Sequence, residues 1–122
     1  MLDTGKLEVV ERLPGWFGRY FHSEQMTFAH YDFKRGASIH EHFHPQEEVY
    51  EVIEGELQLT IDGVAHLARP GVVAIVPPNA RHSVKALTEG ARSSSILRAA
   101  ANLSAPATAE ESRRAPLCTL LS

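Results

Sequence analysis

Between residues 49 and 87, apolar and polar positions alternate. In "ELQLTI" the apolar set is Leu57, Leu59 and Ile61, the period of two that places side chains on one face of a strand. Short runs of this kind are punctuated by Gly55, Asp62-Gly63, Pro70-Gly71 and Pro77-Pro78-Asn79. Asp62-Gly63 predicts a two-residue hairpin, because a type I′ turn needs positive φ at both central positions. Upstream, "MTFAHYDF" (26–33) is rich in aromatic and β-favouring residues and predicts a strand closed by "KRG" (34–36), whereas "LPGWFG" (13–18) reads as a turn. Many short, evenly spaced strands predict an all-β, antiparallel sandwich or barrel, with relatively little helix before residue 98.

The last quarter breaks this pattern. "AAANLSAPATAEESRRAPLCTLLS" (99–122) is rich in Ala, Ser and Pro. The expected division is therefore one domain over 1–98 and a C-terminal extension over 99–122. Within the extension, Thr108 with Glu111 three residues on could cap a short helix stopped by Pro116. The apolar end "LCTLL" is a candidate for docking on a surface.

Composition narrows the function classes. A chain of 122 residues suits one core. The net charge is −3 and the twelve Lys and Arg are scattered, so nucleic acid is not the expected partner. No apolar run reaches membrane-spanning length, and "MLDTGKLEVVERL" has acids where a signal peptide needs an apolar stretch. The expected location is the cytoplasm, with no membrane partner. The single cysteine, Cys118, allows no internal disulfide and no cysteine-built zinc site. There is no G-x-S-x-G elbow and no phosphate loop.

The candidate chemistry lies in "HEHFHPQEE" (40–48). In a regular strand His40, His42 and His44 share a face. Two histidines at i and i+2 can converge on one ion, and after the bend at Pro45 a glutamate, Glu47 or Glu48, can return to the same point. Neutral imidazoles plus a carboxylate suit a divalent first-row metal. The residues alone leave open which pair and which glutamate act. The remaining histidines, His22, His30 and His66, read as ordinary surface or turn residues. Trp16, Phe17, Tyr20 and Phe21 form an early aromatic cluster that reads as a packing or dimer surface.

The stretch resembles the first motif of the cupins, G-x5-H-x-H-x3-E-x6-G, matched here by Gly36, His42, His44, Glu48 and Gly55. The second motif, G-x5-P-x-G-x2-H-x3-N, is matched at Gly71, Pro77 and His82. It departs at Asn79, where glycine is usual, and at Ala86, where asparagine is usual. Asparagine also tolerates left-handed geometry, and Ala86 is not a ligand position in the family. The resemblance spans about 25–98. It implies a small single-domain jelly-roll barrel and a mononuclear site for one divalent transition metal ion (iron, manganese, zinc, nickel or copper) held by His42, His44, Glu48 and His82. His40 and Glu47 then become neighbours, with Glu47 pointing away and His40 a candidate at the pocket mouth. Tyr50 and Val52 share parity with Glu48, so Tyr50 is a second candidate for contact with a bound molecule. Cupins with this ligand set include dioxygenases, decarboxylases, sugar and sugar-acid isomerases and non-enzymatic binding modules. The resemblance therefore implies a metal-dependent oxygenase or isomerase type of enzyme on a small oxygenated metabolite. The alternatives are a small-ligand-binding or sensing domain, or a mainly structural barrel. Small cupins are commonly dimers, so a homodimer is also implied.

Overall fold

The computed structural model describes residues 1–98. The chain opens with a single 3-10 turn, Thr4–Lys6, whose first amides are met by Asp3: its carboxylate accepts from Gly5 N at 2.9 Å. Ten strands follow: β1 (Val10–Leu13), β2 (Trp16–His22), β3 (Met26–Phe33), β4 (Ser38–His42), β5 (Glu48–Glu54), β6 (Leu57–Ile61), β7 (Val64–Ala68), β8 (Val73–Val76), β9 (His82–Ala86) and β10 (Ala91–Arg98). They form a six-stranded sheet, β1-β2-β3-β10-β5-β8, and a four-stranded sheet, β4-β9-β6-β7, with every pairing antiparallel. The all-β antiparallel sandwich expected from the alternation is the observed architecture. The helix and docking expectations for Thr108, Glu111 and "LCTLL" fall outside the described residues. No helix among the described residues is long and apolar enough to cross a membrane.

The alternation works as the pattern requires. Leu57 and Leu59 of β6 and Val84 and Ala86 of β9 point inward from the small sheet. From the large sheet they meet Trp16, Tyr31, Phe33, Tyr50 and Val52. The strand predicted at 26–33 has those bounds as β3. The segment 13–18 is a turn only at Pro14-Gly15: Trp16 already belongs to β2 and is 0% exposed. Burying an indole ring outweighs the local turn signal, because a side chain of that size dominates core energetics. Trp16 and Tyr20 of the aromatic cluster line the core, while Phe17 and Phe21, one residue out of phase, face outward.

Two turns need backbone of positive φ. Asp62 and Gly63 both have positive φ, 47° and 81°, as a type I′ hairpin requires, and they join β6 to β7. At Gly55 (φ 72°) a Cβ would strike Thr88 Oγ1 and come within 3.0 Å of Ala91 Cα. Only glycine lets the chain leave β5 while Thr88 Oγ1 accepts from Glu56 N at 3.0 Å.

Candidate metal centre

Of the four residues singled out by the motifs, three stand at the ends of strands. His42 closes β4, Glu48 opens β5 and His82 opens β9 directly opposite His42. His44 lies in the connection between β4 and β5. That connection is anchored by Asn79, whose N–H donates to His44 O at 2.7 Å and whose φ of 65° is the left-handed geometry asparagine tolerates. Asp62 reaches the other side: its N–H donates to Arg81 O and its carboxylate accepts from Arg81 N, fixing the backbone one residue before His82.

The expectation of a regular strand through His40, His42 and His44 does not hold. The β4–β9 register runs Ile39↔Val84 and then His42↔His82, so two residues, His40 and Glu41, oppose Ser83 alone. This bulge turns both side chains outward while Ile39 and His42 stay buried. His40 lines an open groove of about 350 Å³ with Ser38, Gln58 and Lys85 on the outer side of the small sheet. What it brings to the cluster is its carbonyl.

All three inner histidines are held the same way. Nδ1 of His42 donates to His40 O at 2.7 Å, Nδ1 of His44 to Gln46 O at 2.8 Å, and Nδ1 of His82 to Ala80 O at 2.8 Å. A ring that donates through Nδ1 and is neutral presents a lone pair at Nε2. The ligand atoms of the three rings lie within 4.8 Å of one another, and all three residues are buried. Glu48, 0% exposed, places Oε1 3.2 Å from His44 Nε2 and 3.5 Å from His82 Nε2.

These atoms satisfy one another only in part: His44 Nε2 and Glu48 Oε1 are within hydrogen-bond distance at 3.2 Å. His42 Nε2, His82 Nε2 and Glu48 Oε2 are buried with no hydrogen-bond partner. Neutral rings donating through Nδ1 leave three Nε2 acceptors within 4.8 Å of one another, beside a carboxylate whose Oε1 lies against two of them. Orphaned buried acceptors are costly, and a cation among them would satisfy them together, so the donor set fits a divalent metal. The hydrogen bonds of the three rings to backbone carbonyls are of the kind that metal sites use to orient imidazoles.

In the metal-free protein, protons and charge within the cluster offset part of that cost. Burial pushes the Glu48 carboxyl up, but hydrogen bonds and charge from His44 and His82 outweigh it and hold the group down at about 2. Burial lowers His42 to about 4, so it is neutral at pH 7. Burial also acts against protonated His82, but the Glu48 carboxylate 3.5 Å away and the Ala80 carbonyl raise it above 6.5 on balance.

Glu47 is exposed and points away from Glu48. Tyr50 is buried on the inner face, one row from Glu48. His66 is exposed, His22 bonds Thr27 at 2.9 Å, and His30 packs outward against Phe21. The sequence reading did not find the hydroxyls that accompany Tyr50. Cross-strand register aligns Tyr20, Ala29, Ser95 and Tyr50 in one inner row, and Tyr31 and Ser93 in the next. The hydroxyls of Tyr20, Tyr31, Ser93 and Ser95 are buried without a protein partner. Burial pushes Tyr20 up to about 12 and Tyr31 and Tyr50 well above 10, with the Glu48 charge adding to each. The inward parity of these positions was readable, but their alignment depends on long-range pairing.

The fold and this geometry can be set beside known proteins. The structure is similar to KdgF from a Halomonas species (TM-score 0.75, 18% identity, 82% of this chain and 93% of that one). It is also similar to an RmlC-like cupin from Shewanella frigidimarina (TM-score 0.76, 22% identity, 84% and 92%). A Bacillus subtilis oxalate decarboxylase with Mn(II) centres matches at TM-score 0.71 and 21% identity, over 84% of this chain and 30% of that one. At these identities the likeness concerns the fold. In sequence, the dimethylsulfoniopropionate lyase DddW of Ruegeria pomeroyi is 39% identical over 61 residues, 50% of this chain. That match spans only 40% of the curated relative's length. The cupin-domain family model matches residues 29–93, over half of the chain and including all four inward-facing site residues, and the chain belongs to the cupin domain family.

Proposed function

We propose that this protein is a mononuclear metal-dependent enzyme acting on a small oxygenated metabolite: a hydroxy-carbonyl compound, a carboxylate or a sugar acid. The observation that carries the reading is the convergence of His42, His44 and His82, each locked by a Nδ1–H bond to a carbonyl, on the ionised Glu48. These four would hold the ion. A divalent metal there would supply Lewis-acid polarisation of a bound oxygen or a lowered pKa for bound water. The protein's own part is to exclude bulk water, hold each imidazole through its Nδ1–H bond and orient the bound molecule. The inner rows of Tyr20, Ser95 and Tyr50, and of Tyr31 and Ser93, offer hydroxyls to an oxygen-rich ligand beside the ligand set. Two similar proteins, the lyase and the decarboxylase, are named for acting on small carboxylates, which supports that substrate class. We assign the activity to residues 1–98 as one domain, with 99–122 an extension to it.

A non-catalytic ligand-binding domain is the second reading, favoured by one observation. The titratable groups nearest the ligand set on the large sheet are tyrosines driven well above neutral pH, which makes them poor general bases. Elemental analysis of protein purified without a histidine tag should give one equivalent of a transition metal. Carboxylates and sugar acids should then be turned over in a manner abolished by chelation and restored by one metal. Binding without turnover would select the second reading, and protein carrying no metal and taking none up would refute both.

A further inference from the structure

The bulge that turns His40 outward also shapes the outer side of the small sheet. Register sets two short rows of polar side chains across β4, β9 and β6. One row is Ser38, Lys85 and Gln58; the next is His40, Ser83 and Thr60, with Glu41 beside His40 in the bulge. Together they line the groove of about 350 Å³. Strand and residue spacings give the two rows a footprint of roughly 10 by 7 Å, the scale of one small molecule. Gln58, Thr60 and Ser83 are half-buried, while Ser38, His40 and Lys85 are exposed around them. Ile39 and Val84 form the floor, with their side chains buried on the other side of the sheet. The groove therefore lies outside the barrel, and the three metal-facing histidines are buried within it.

The six side chains of these rows keep their polar capacity unspent. None of them has a hydrogen bond or an ion pair with another described residue, and His40 engages the metal centre only through its carbonyl. Lys85 is a cation without a counter-ion. Glu41 is turned to Arg81, with Oε2 4.0 Å from Nη1, and that guanidinium also lies over the Phe43 ring at 5.0 Å. We propose that the groove is a second binding site, taking a small hydroxylated carboxylate of the sugar-acid class. Lys85 pairs with the carboxylate. The hydroxyls of Ser38, Thr60 and Ser83 and the amide of Gln58 can each donate and accept, which matches ligand hydroxyls that do both. The volume is that of a small-molecule site. Charge selects among anions: one ammonium suits one carboxylate, whereas a phosphate chain needs clustered cations and a phosphate group favours the arginine fork that the groove lacks. The ligand class is the one proposed for the metal centre, but no metal-facing side chain takes part.

The test is a heteronuclear NMR titration of the full-length chain with glucuronate, run with and without added zinc, which is diamagnetic. The backbone amides of Ser38, His40, Gln58, Thr60, Ser83 and Lys85 should shift together and saturate in both conditions. Lys85→Gln and Thr60→Val should each weaken binding about fivefold, as loss of an exposed ion pair or of one hydrogen bond does. Glucose, which lacks the carboxylate, should bind wild type about fivefold more weakly, and in Lys85→Gln the preference for glucuronate over glucose should disappear. Acetate, which lacks the hydroxyls, should bind about tenfold more weakly or worse. No shifts in the groove, or shifts confined to the surroundings of His42, His44 and His82, would overturn the proposal. So would a Lys85→Gln variant that keeps the preference for glucuronate, or acetate binding as well as glucuronate. Groove shifts in protein that takes up no zinc would support this site while refuting the metal assignment, so the two readings fail separately.

Discussion

Glu48→Gln tests the centre most directly, because it keeps the shape of the side chain and removes its charge. The drop of the carboxyl from 4.5 to about 2, at about 1.4 kcal/mol per pH unit, puts about 3 kcal/mol behind the ionised form in the metal-free fold. The amide can still donate to the Nε2 of His82, so the metal-free variant should lose at most that amount. For a domain of this size that is a fall in Tm of no more than about 10–20 °C. The metal-loaded protein behaves differently. A ligand at a hundredfold its Kd stabilises a fold by about 2.7 kcal/mol, so saturating metal should raise the wild-type Tm by about 10–20 °C. In Glu48→Gln the cation meets three neutral imidazoles with no carboxylate to offset its charge, and that rise should vanish. The assay is differential scanning fluorimetry with and without metal, paired with elemental analysis. A variant that retains one equivalent of metal and the full rise in Tm would refute the reasoning.

Three further outcomes follow from the same structure. His42 is lowered from 6.5 to about 4, so the unfolded chain binds its proton first. Metal-free protein should therefore lose stability as pH falls from 6.5 to 4, with Glu48 adding to the loss between 4.5 and 2. The raised His82 does not oppose this, because its contribution is already complete below 6.5. Urea denaturation at pH 6 and pH 4 measures the effect, and equal stability at both would count against it. His40→Ala should leave metal affinity within about threefold by titration calorimetry, since the centre uses only its carbonyl; a larger loss than the 10–100-fold of outer-shell changes would mean that its ring binds directly. Gly55→Ala should destabilise by about 2–4 kcal/mol, from positive φ plus the collision with Thr88 and Ala91. Gly71→Ala, with the same sign of φ but open space around it, should cost only about 1–2 kcal/mol; equal Tm losses would discount the collision.

Much of this molecule is legible in its sequence because the relevant physics is local. Alternation in "ELQLTI" and "MTFAHYDF" places strands, since neighbouring side chains must go to opposite faces whatever they pair with. Asp62-Gly63 makes its hairpin because those two residues accept positive φ. The spacing of His42, His44 and Glu48, with the bend at Pro45, puts three polar side chains on the inner side within a few residues of chain.

What the tertiary structure decided depends on partners remote in sequence. His40 has the same parity as His42, yet it faces outward because β4 bulges against β9, a strand some forty residues downstream. Trp16 follows a turn signal, but a core exists to receive it only after β3 and β10 are in place. The tautomers of the three histidines depend on which carbonyl comes within reach of each Nδ1. On the outer face of the large sheet, register aligns Phe21, Phe28, Ile96, Val49 and Ile75 in one row, drawn from five strands whose order in the sheet is not their order in the chain. A residue's inward or outward parity is set by its neighbours in sequence, but the row it joins is set by register, and register is a property of paired strands.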